Sequence, residues 1–139
     1  GVPDIFVQDN HSKSKKGVLR GLHYQEEPFD QGKLVRVVKG KVFDVVVDIR
    51  KNSPTYTHWL AETLSESNKK QLWIPSGFAH GFLALEDDTE LLYKTTKYYS
   101  TEHERVIGYN DKKFNIKWPK VEGGFILGEK DFSAYEKSL

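Results

Sequence analysis

Short runs of apolar, aromatic and β-branched residues alternate with turn-forming residues along most of the chain. Glycine, proline, asparagine and aspartate mark the turns, as in KG at 39–40, NSP at 52–54 and PSG at 75–77. The runs between these turns are rich in Val, Leu, Phe, Tyr and Thr, which favour strands. The predicted strands cover 34–38, 42–49, 58–63, 72–74, 81–85 and 90–99. This spacing predicts an all-β fold, either an antiparallel sandwich or a barrel.

Two segments add detail to this prediction. Residues 42–49 are apolar on both faces of a strand except at Asp44 and Asp48, as expected for an inner strand of two packed sheets. Residues 129–137 form a candidate helix at the C-terminal end. No internal repeat, low-complexity tract or linker interrupts the sequence, so we predict a single domain over residues 1–139.

Composition limits the classes of ligand. The 139 residues carry 21 basic and 20 acidic side chains, a net charge of +1, so the chain has no overall field that attracts nucleic acid or an anionic membrane. Any anionic ligand must be bound by local groups. The chain has no cysteine, which excludes disulfides, thiolate nucleophiles and cysteine metal sites. No stretch approaches the length of a membrane span, and we expect a soluble, cytoplasmic protein.

The segment GVLRGLHYQ, residues 17–25, places an arginine and a histidine in a run that is otherwise typical of a buried strand. One interpretation is structural: Arg20 extends to solvent and His23 is a hydrogen-bonded interior histidine. The other is that both side chains contact one ligand. Strict alternation puts them on opposite faces, so a shared site needs a bulge at Gly21 or a ligand that wraps the sheet edge.

A second segment, WIPSGFAHGF at residues 73–82, contains Pro75, Gly77 and His80 in the spacing Pro-x-Gly-x-x-His. It resembles the second motif of the cupins, which are double-stranded β-helix (jelly-roll) barrels; the alternative is a proline-glycine turn before an ordinary strand. A metal-binding cupin also needs a His-x-His pair and a carboxylate from its first motif. The corresponding run, KVFDVVVD at 41–48, has no histidine, so we expect no metal.

Longer motifs resemble one family in particular. FVQDNHSKSKKGVLRGLHYQ (6–25), QGKLVRVVKGKVFDVVVDIRKNSPT (31–55), QLWIPSGFAHGF (71–82), LLYKTTKYYS (91–100) and LGEKD (127–131) are similar to the dTDP-4-dehydrorhamnose 3,5-epimerases of dTDP-L-rhamnose and polysaccharide biosynthesis. The resemblance implies a cupin-like barrel that inverts two sugar carbons beside a C4 ketone, without cofactor or metal. In the family a further N-terminal segment usually pairs with the barrel and reaches a neighbouring subunit, whereas this chain opens almost directly on the strand that carries Gln8 and Asn10. Without that segment we expect a homodimer that forms through the remaining barrel surfaces, with weakened dTDP binding and slow turnover.

The chemistry needs a base, an acid and a group that stabilises an enolate oxygen. Neutral His23 suits the base because its ordinary pKa lies near neutrality. By resemblance, Asp131 is its carboxylate partner, Tyr93 is the acid on the opposite face, and Lys33 is the ammonium beside the ketone oxygen. Without the resemblance, Tyr93 is a packed tyrosine and Lys33 a solvated lysine.

The remaining candidates bind substrate. The guanidinium of Arg20 suits the diphosphate because it can bind phosphate oxygens bidentately. His80 is expected in the pocket wall, and Tyr99 is expected to stack on the thymine or else to close the barrel mouth. Three polar residues share one parity of an extended strand and can line the same cleft, or form a polar outer face: Gln8, Asn10 and Ser12.

Two other functions use the same pocket. A non-catalytic cupin that binds a sugar nucleotide needs no base and acid on opposite faces. A metal-dependent cupin oxygenase or isomerase would hold stoichiometric metal after purification.

Overall fold

The computed structural model describes residues 1–139, which form nine strands and one helix. The elements are β1 Gln8–Ser14, β2 Leu19–Gln25, β3 Lys33–Lys39, β4 Lys41–Asp48, β5 Trp59–Ser65, β6 Gln71–Ile74, β7 Phe78–Ala84, β8 Thr89–Thr95, β9 Glu104–Val106 and α1 Glu129–Lys137. A four-stranded sheet has the order β1-β8-β3-β6 and a five-stranded sheet the order β5-β4-β7-β2-β9. All pairs of strands are antiparallel, and the predicted all-β class with a C-terminal helix is confirmed.

Strand β4 lies between β5 and β7, and its two faces enter two different apolar clusters. Val42 and Val46 pack with residues of both sheets, including Val35 of β3. Val45 and Val47 pack on the other face, against a cluster that includes Phe114. The predicted inner strand is therefore confirmed, because β4 is buried on both faces, as its largely apolar sequence predicts.

The predicted strand over 90–99 is too long. The observed β8 ends at Thr95, which pairs with Gln8 and Lys33, the first residues of the two neighbouring strands. Strand β9, three residues long, has no predicted counterpart. The helix matches its predicted bounds. It is not long and apolar enough to cross a membrane.

Strand β2 contains a bulge at Gly21, which was one of the two alternatives that the sequence left open for Arg20 and His23. Arg20 pairs with Phe82 and His23 with His80, so β2 advances three residues while β7 advances two. Gly21, within this bulge, has a φ of +121°, and a Cβ there would lie 2.7 Å from the Cα of Gly81. The position requires glycine both for its backbone conformation and for this close approach. The extra residue cancels the alternation, and Arg20 and His23 line the same cavity.

Candidate active site

One large open cavity, with a volume of about 1380 Å³, lies against both sheets and α1. Nine of the ten candidate residues line it: Asn10, Ser12, Arg20, His23, Lys33, His80, Tyr93, Tyr99 and Asp131. Gln8 does not line it. The Gln8 amide instead donates to Asn10 Oδ1 at 3.0 Å and accepts from the backbone N–H of Tyr99 at 2.9 Å, which ties β1 to the segment after β8.

His23 and Asp131 form a close pair, although 108 positions separate them in the sequence. His23 Nε2 lies 2.6 Å from Asp131 Oδ1, and the backbone N–H of Gly21 donates to Asp131 Oδ2 at 3.3 Å. Because a carboxylate can only accept, Nε2 carries the hydrogen and Nδ1 keeps a free lone pair. Asp131 is buried, whereas the His23 side chain is 24% exposed. This arrangement fits a base whose ring is oriented by a shielded carboxylate.

The docking of α1 brings Asp131 into the cavity wall. The rings of Tyr109 and Tyr135 stack with centroids 5.5 Å apart, and Asn110 Nδ2 donates to the carbonyl of Tyr135 at 3.2 Å. The helix also lies close to Gly108, where an added Cβ would be 2.5 Å from Ser138 Oγ. These contacts with the chain after β9 fix the helix, so Asp131 in its first turn reaches His23.

A second histidine–carboxylate pair lies beside the first on the five-stranded sheet. His80 Nε2 is 2.8 Å from Asp44 Oδ1, and both residues are buried. His23 and His80 are direct cross-strand partners. Asp44, His80 and His23 therefore lie on the adjacent strands β4, β7 and β2.

Lys33 and Tyr93 come from the four-stranded sheet, opposite the two histidines. Lys33 Nζ lies 5.6 Å from the centroid of the Tyr93 ring. Burial lowers the pKa of Lys33 to about 8, against the raising effect of the negative charges of Asp44 and Glu104. Burial raises the pKa of Tyr93, and the charge of Glu104 adds to the effect. At neutral pH the cavity therefore holds a protonated phenol and a lysine that is still mostly protonated.

The mouth of the cavity carries an ion pair that the sequence prediction missed. Lys130 Nζ contacts Glu104 Oε1, and the ammonium lies 6.0 Å from the centroid of the Tyr99 ring. Tyr99 is 47% exposed and Arg20 is also exposed at the cavity, as expected for groups that meet a ligand from solvent. Glu104 lies on β9, whose three residues give no periodic pattern, and Lys130 is distinguished in the sequence only by its position before Asp131.

The donor set of this cavity suits proton transfer. The structure has no group of three or more histidine, aspartate or glutamate side chains that could hold a metal ion. Two paired histidines face a phenol and an ammonium from the other sheet. A cupin-like β fold with such a cavity defines the class, which is that of the carbohydrate epimerases, a class of isomerases.

Comparison with known proteins identifies the family within this class. The sequence model of the family described as dTDP-4-dehydrorhamnose 3,5-epimerase matches residues 1–137, and the chain belongs to this family. The dTDP-4-dehydrorhamnose 3,5-epimerase of Shigella flexneri is 60% identical over 128 residues, which are 92% of this chain and 70% of that protein.

Solved structures agree with this assignment. The dTDP-6-deoxy-D-glucose-3,5-epimerase of Legionella pneumophila, in complex with dTDP-4-keto-L-rhamnose, has a TM-score of 0.91 and 53% identity, and the match covers 96% of this chain and 70% of that one. A 3'-monoepimerase of Streptomyces bikiniensis, in complex with dTDP-quinovose, has a TM-score of 0.87 and 32% identity over 93% of this chain and 65% of that one.

Proposed function

We propose that this chain inverts C3 and C5 of dTDP-4-dehydro-6-deoxy-D-glucose, the reaction of dTDP-L-rhamnose biosynthesis. One observation carries the proposal: a histidine paired with a buried carboxylate faces a partly buried tyrosine from the opposite sheet across one cavity. The family membership and the dTDP-4-keto-L-rhamnose complex of the Legionella relative supply the substrate class.

His23 is the base in this proposal. Its Nδ1 removes the hydrogen from a carbon beside the ketone, and Asp131 stabilises the imidazolium that forms. The electrons of the broken C–H bond move to the ketone oxygen, which becomes an enolate. Lys33 and His80 lie at the same cavity and stabilise this oxygen as its charge develops.

Tyr93 is the acid. It donates its proton to the carbon from the face opposite His23, which inverts the centre. A raised pKa suits this role, since the phenol stays protonated at neutral pH until the carbanion takes its proton. His23 then releases its proton to solvent and the Tyr93 phenolate takes up a proton from solvent, which resets both groups for the second carbon.

The nucleotide half of the substrate meets the exposed end of the cavity. Arg20 is positioned to bind the diphosphate through its guanidinium, and Asn10 and Ser12 of β1 add hydrogen-bonding groups. Tyr99 offers a partly exposed ring for the thymine.

Incubation with the 4-keto substrate in heavy water tests the proposed function. We expect deuterium at both C3 and C5 and inverted product, without added cofactor. Deuterium at one carbon alone would assign a monoepimerase, as in the Streptomyces bikiniensis relative. Binding of dTDP with no exchange would instead establish a non-catalytic sugar-nucleotide-binding protein, and activity lost on chelation would establish a metal-dependent enzyme.

We also propose that the protein is a homodimer. The outer strands are β1 and β6 in the four-stranded sheet and β5 and β9 in the five-stranded sheet. Leu60 on β5 is 58% exposed. Unpaired strand edges and exposed apolar side chains favour pairing with a second copy. Light scattering should give about twice the chain mass of 16.0 kDa, and a monomer at micromolar concentration would contradict the proposal.

A further inference from the structure

Asp44 is a buried carboxylate to which the mechanism above gives no task. It is fully buried in the middle of β4. Its Oδ1 accepts the hydrogen of His80 Nε2 at 2.8 Å, while its Oδ2 is buried with no hydrogen-bond partner. Burying a half-satisfied carboxylate is costly, and aspartate is almost never fully buried unless it is paired. Asparagine could accept the same hydrogen bond at lower cost, so the charge itself needs an explanation.

Lys33 provides the complementary observation from the opposite sheet. It is only 8% exposed, and its ammonium makes no salt bridge or hydrogen bond within the protein. Burial alone would drive such a lysine toward its neutral form. The negative charge of Asp44 opposes this effect more than any other group, followed by that of Glu104.

Two carboxylates of the cavity, Glu104 and Asp131, are each paired with another side chain. The titratable and charged side chains that line the same cavity as Lys33 include Tyr93 of β8, His80 of β7, Arg20 and His23 of β2, Glu104 of β9, and Lys130 and Asp131 of α1. Glu104 is in contact with Lys130, and Asp131 is paired with His23, so both carboxylates already have a partner. Asp44 is the carboxylate with a free oxygen.

We propose that Asp44 is a positioning residue that keeps the Lys33 ammonium charged and fixes the ring of His80 for stabilisation of the enolate oxygen. The inference rests on the proposed function and deepens it. A neutral lysine amine would lose the electrostatic stabilisation that the enolate needs. The negative charge of Asp44 therefore extends the pH range in which the site works.

The variant Asp44→Asn tests the charge while the hydrogen bond to His80 is retained. Without the negative charge, the pKa of Lys33 falls below its value of about 8, so the alkaline limb of the pH profile of kcat should move to lower pH by about one unit or more. Activity at pH 8 should drop roughly tenfold or more, and activity near pH 6 should recover toward that of the wild type. An alkaline limb at the wild-type position would overturn the proposal.

Asp48→Asn is the matched control. Asp48 lies on the same strand and is also buried, but it is paired with Arg50 and does not line the cavity. Removing its charge should lower stability and leave the pH profile unchanged. A shift of the same size in both variants would show a general effect of buried charge and would overturn the specific role of Asp44.

A direct titration of Lys33 in the wild-type protein adds a measurement that does not depend on the folding of Asp44→Asn. The Cε resonance of Lys33 in carbon-13-labelled wild-type protein, assigned by its loss in Lys33→Arg, should titrate near pH 8. A midpoint well below pH 7 would mean that Asp44 does not hold the charge and would overturn the proposal. If the wild-type protein shows no deuterium exchange, the proposed function fails. The titration of Lys33 still tests separately whether the charge of Lys33 is maintained.

Discussion

Replacing Asp131 with asparagine should slow proton removal by His23 while leaving dTDP binding close to that of the wild type. The Asp131 Oδ1 and His23 Nε2 atoms are 2.6 Å apart, and Asp131 is 5% exposed, so the hydrogen bond is charge-assisted and shielded from water. Such a bond contributes about 1.5 to 3 kcal/mol. If that stabilisation is lost when the imidazolium forms, the exchange rate should fall roughly 10- to 150-fold.

A double-mutant cycle separates this role from a general effect on the fold. His23→Asn removes the base itself and should cost about a hundred- to ten-thousand-fold in exchange at both carbons. Because Asp131 acts through His23, adding Asp131→Asn to His23→Asn should cost little more. Exchange is measured by locating deuterium in substrate and product after incubation in heavy water, with dTDP affinity measured by calorimetry.

Glu129→Gln is the matched control for this experiment. Glu129 lies in the first turn of the same helix and lines the same cavity, but it is exposed and makes no side-chain hydrogen bond to His23. It should retain nearly full exchange. The reasoning is refuted if Asp131→Asn exchanges at the wild-type rate, or if the losses of the two single variants multiply in the double variant.

Three further outcomes are expected. Tyr93→Phe should keep deuterium wash-in from the side of His23 while inverted product falls sharply, and normal inversion would make Tyr93 a packing residue. Arg20→Lys should weaken dTDP binding in calorimetry by about 1 to 3 kcal/mol, because lysine cannot bind phosphate bidentately; unchanged affinity would remove Arg20 from the site. Hydrogen bonding to Arg50 holds the pKa of Asp48 below its ordinary 3.8, so Asp48 stabilises the fold above about pH 4 and loses this effect in stronger acid. The difference in unfolding free energy between wild type and Asp48→Asn should therefore be constant near neutrality and narrow with acidification, and a pH-independent difference would contradict the assignment.

The local pattern of apolar and turn-forming residues was sufficient to predict the bounds of some elements. Residues 42–49 and 129–137 were predicted within one residue of β4 and α1, since a run that is apolar except at Asp44 and Asp48 indicates an inner strand, and the turn residues before 129 indicate where a helix can begin. The end of β8 was not predictable in this way. Tyr98 and Tyr99 are good strand formers, but the partner strands begin opposite Thr95, and a strand needs a neighbour's backbone.

The sequence by itself determined the residue types of the site, through the motifs around His23, Lys33, His80 and Tyr93, and through their resemblance to one family. It also determined that a bulge at Gly21 was one of two ways to bring Arg20 and His23 to one ligand.

Tertiary structure decided which of these groups meet. The bulge appears only when β2 pairs with β7, and Asp131 reaches His23 only because α1 docks on the chain after β9. The ion pair of Glu104 with Lys130 and the pairing of Asp44 with His80 likewise join different elements. Periodicity reports which face of an element is buried, whereas pairs of charged groups from distant elements depend on sheet order and register, which local sequence does not encode.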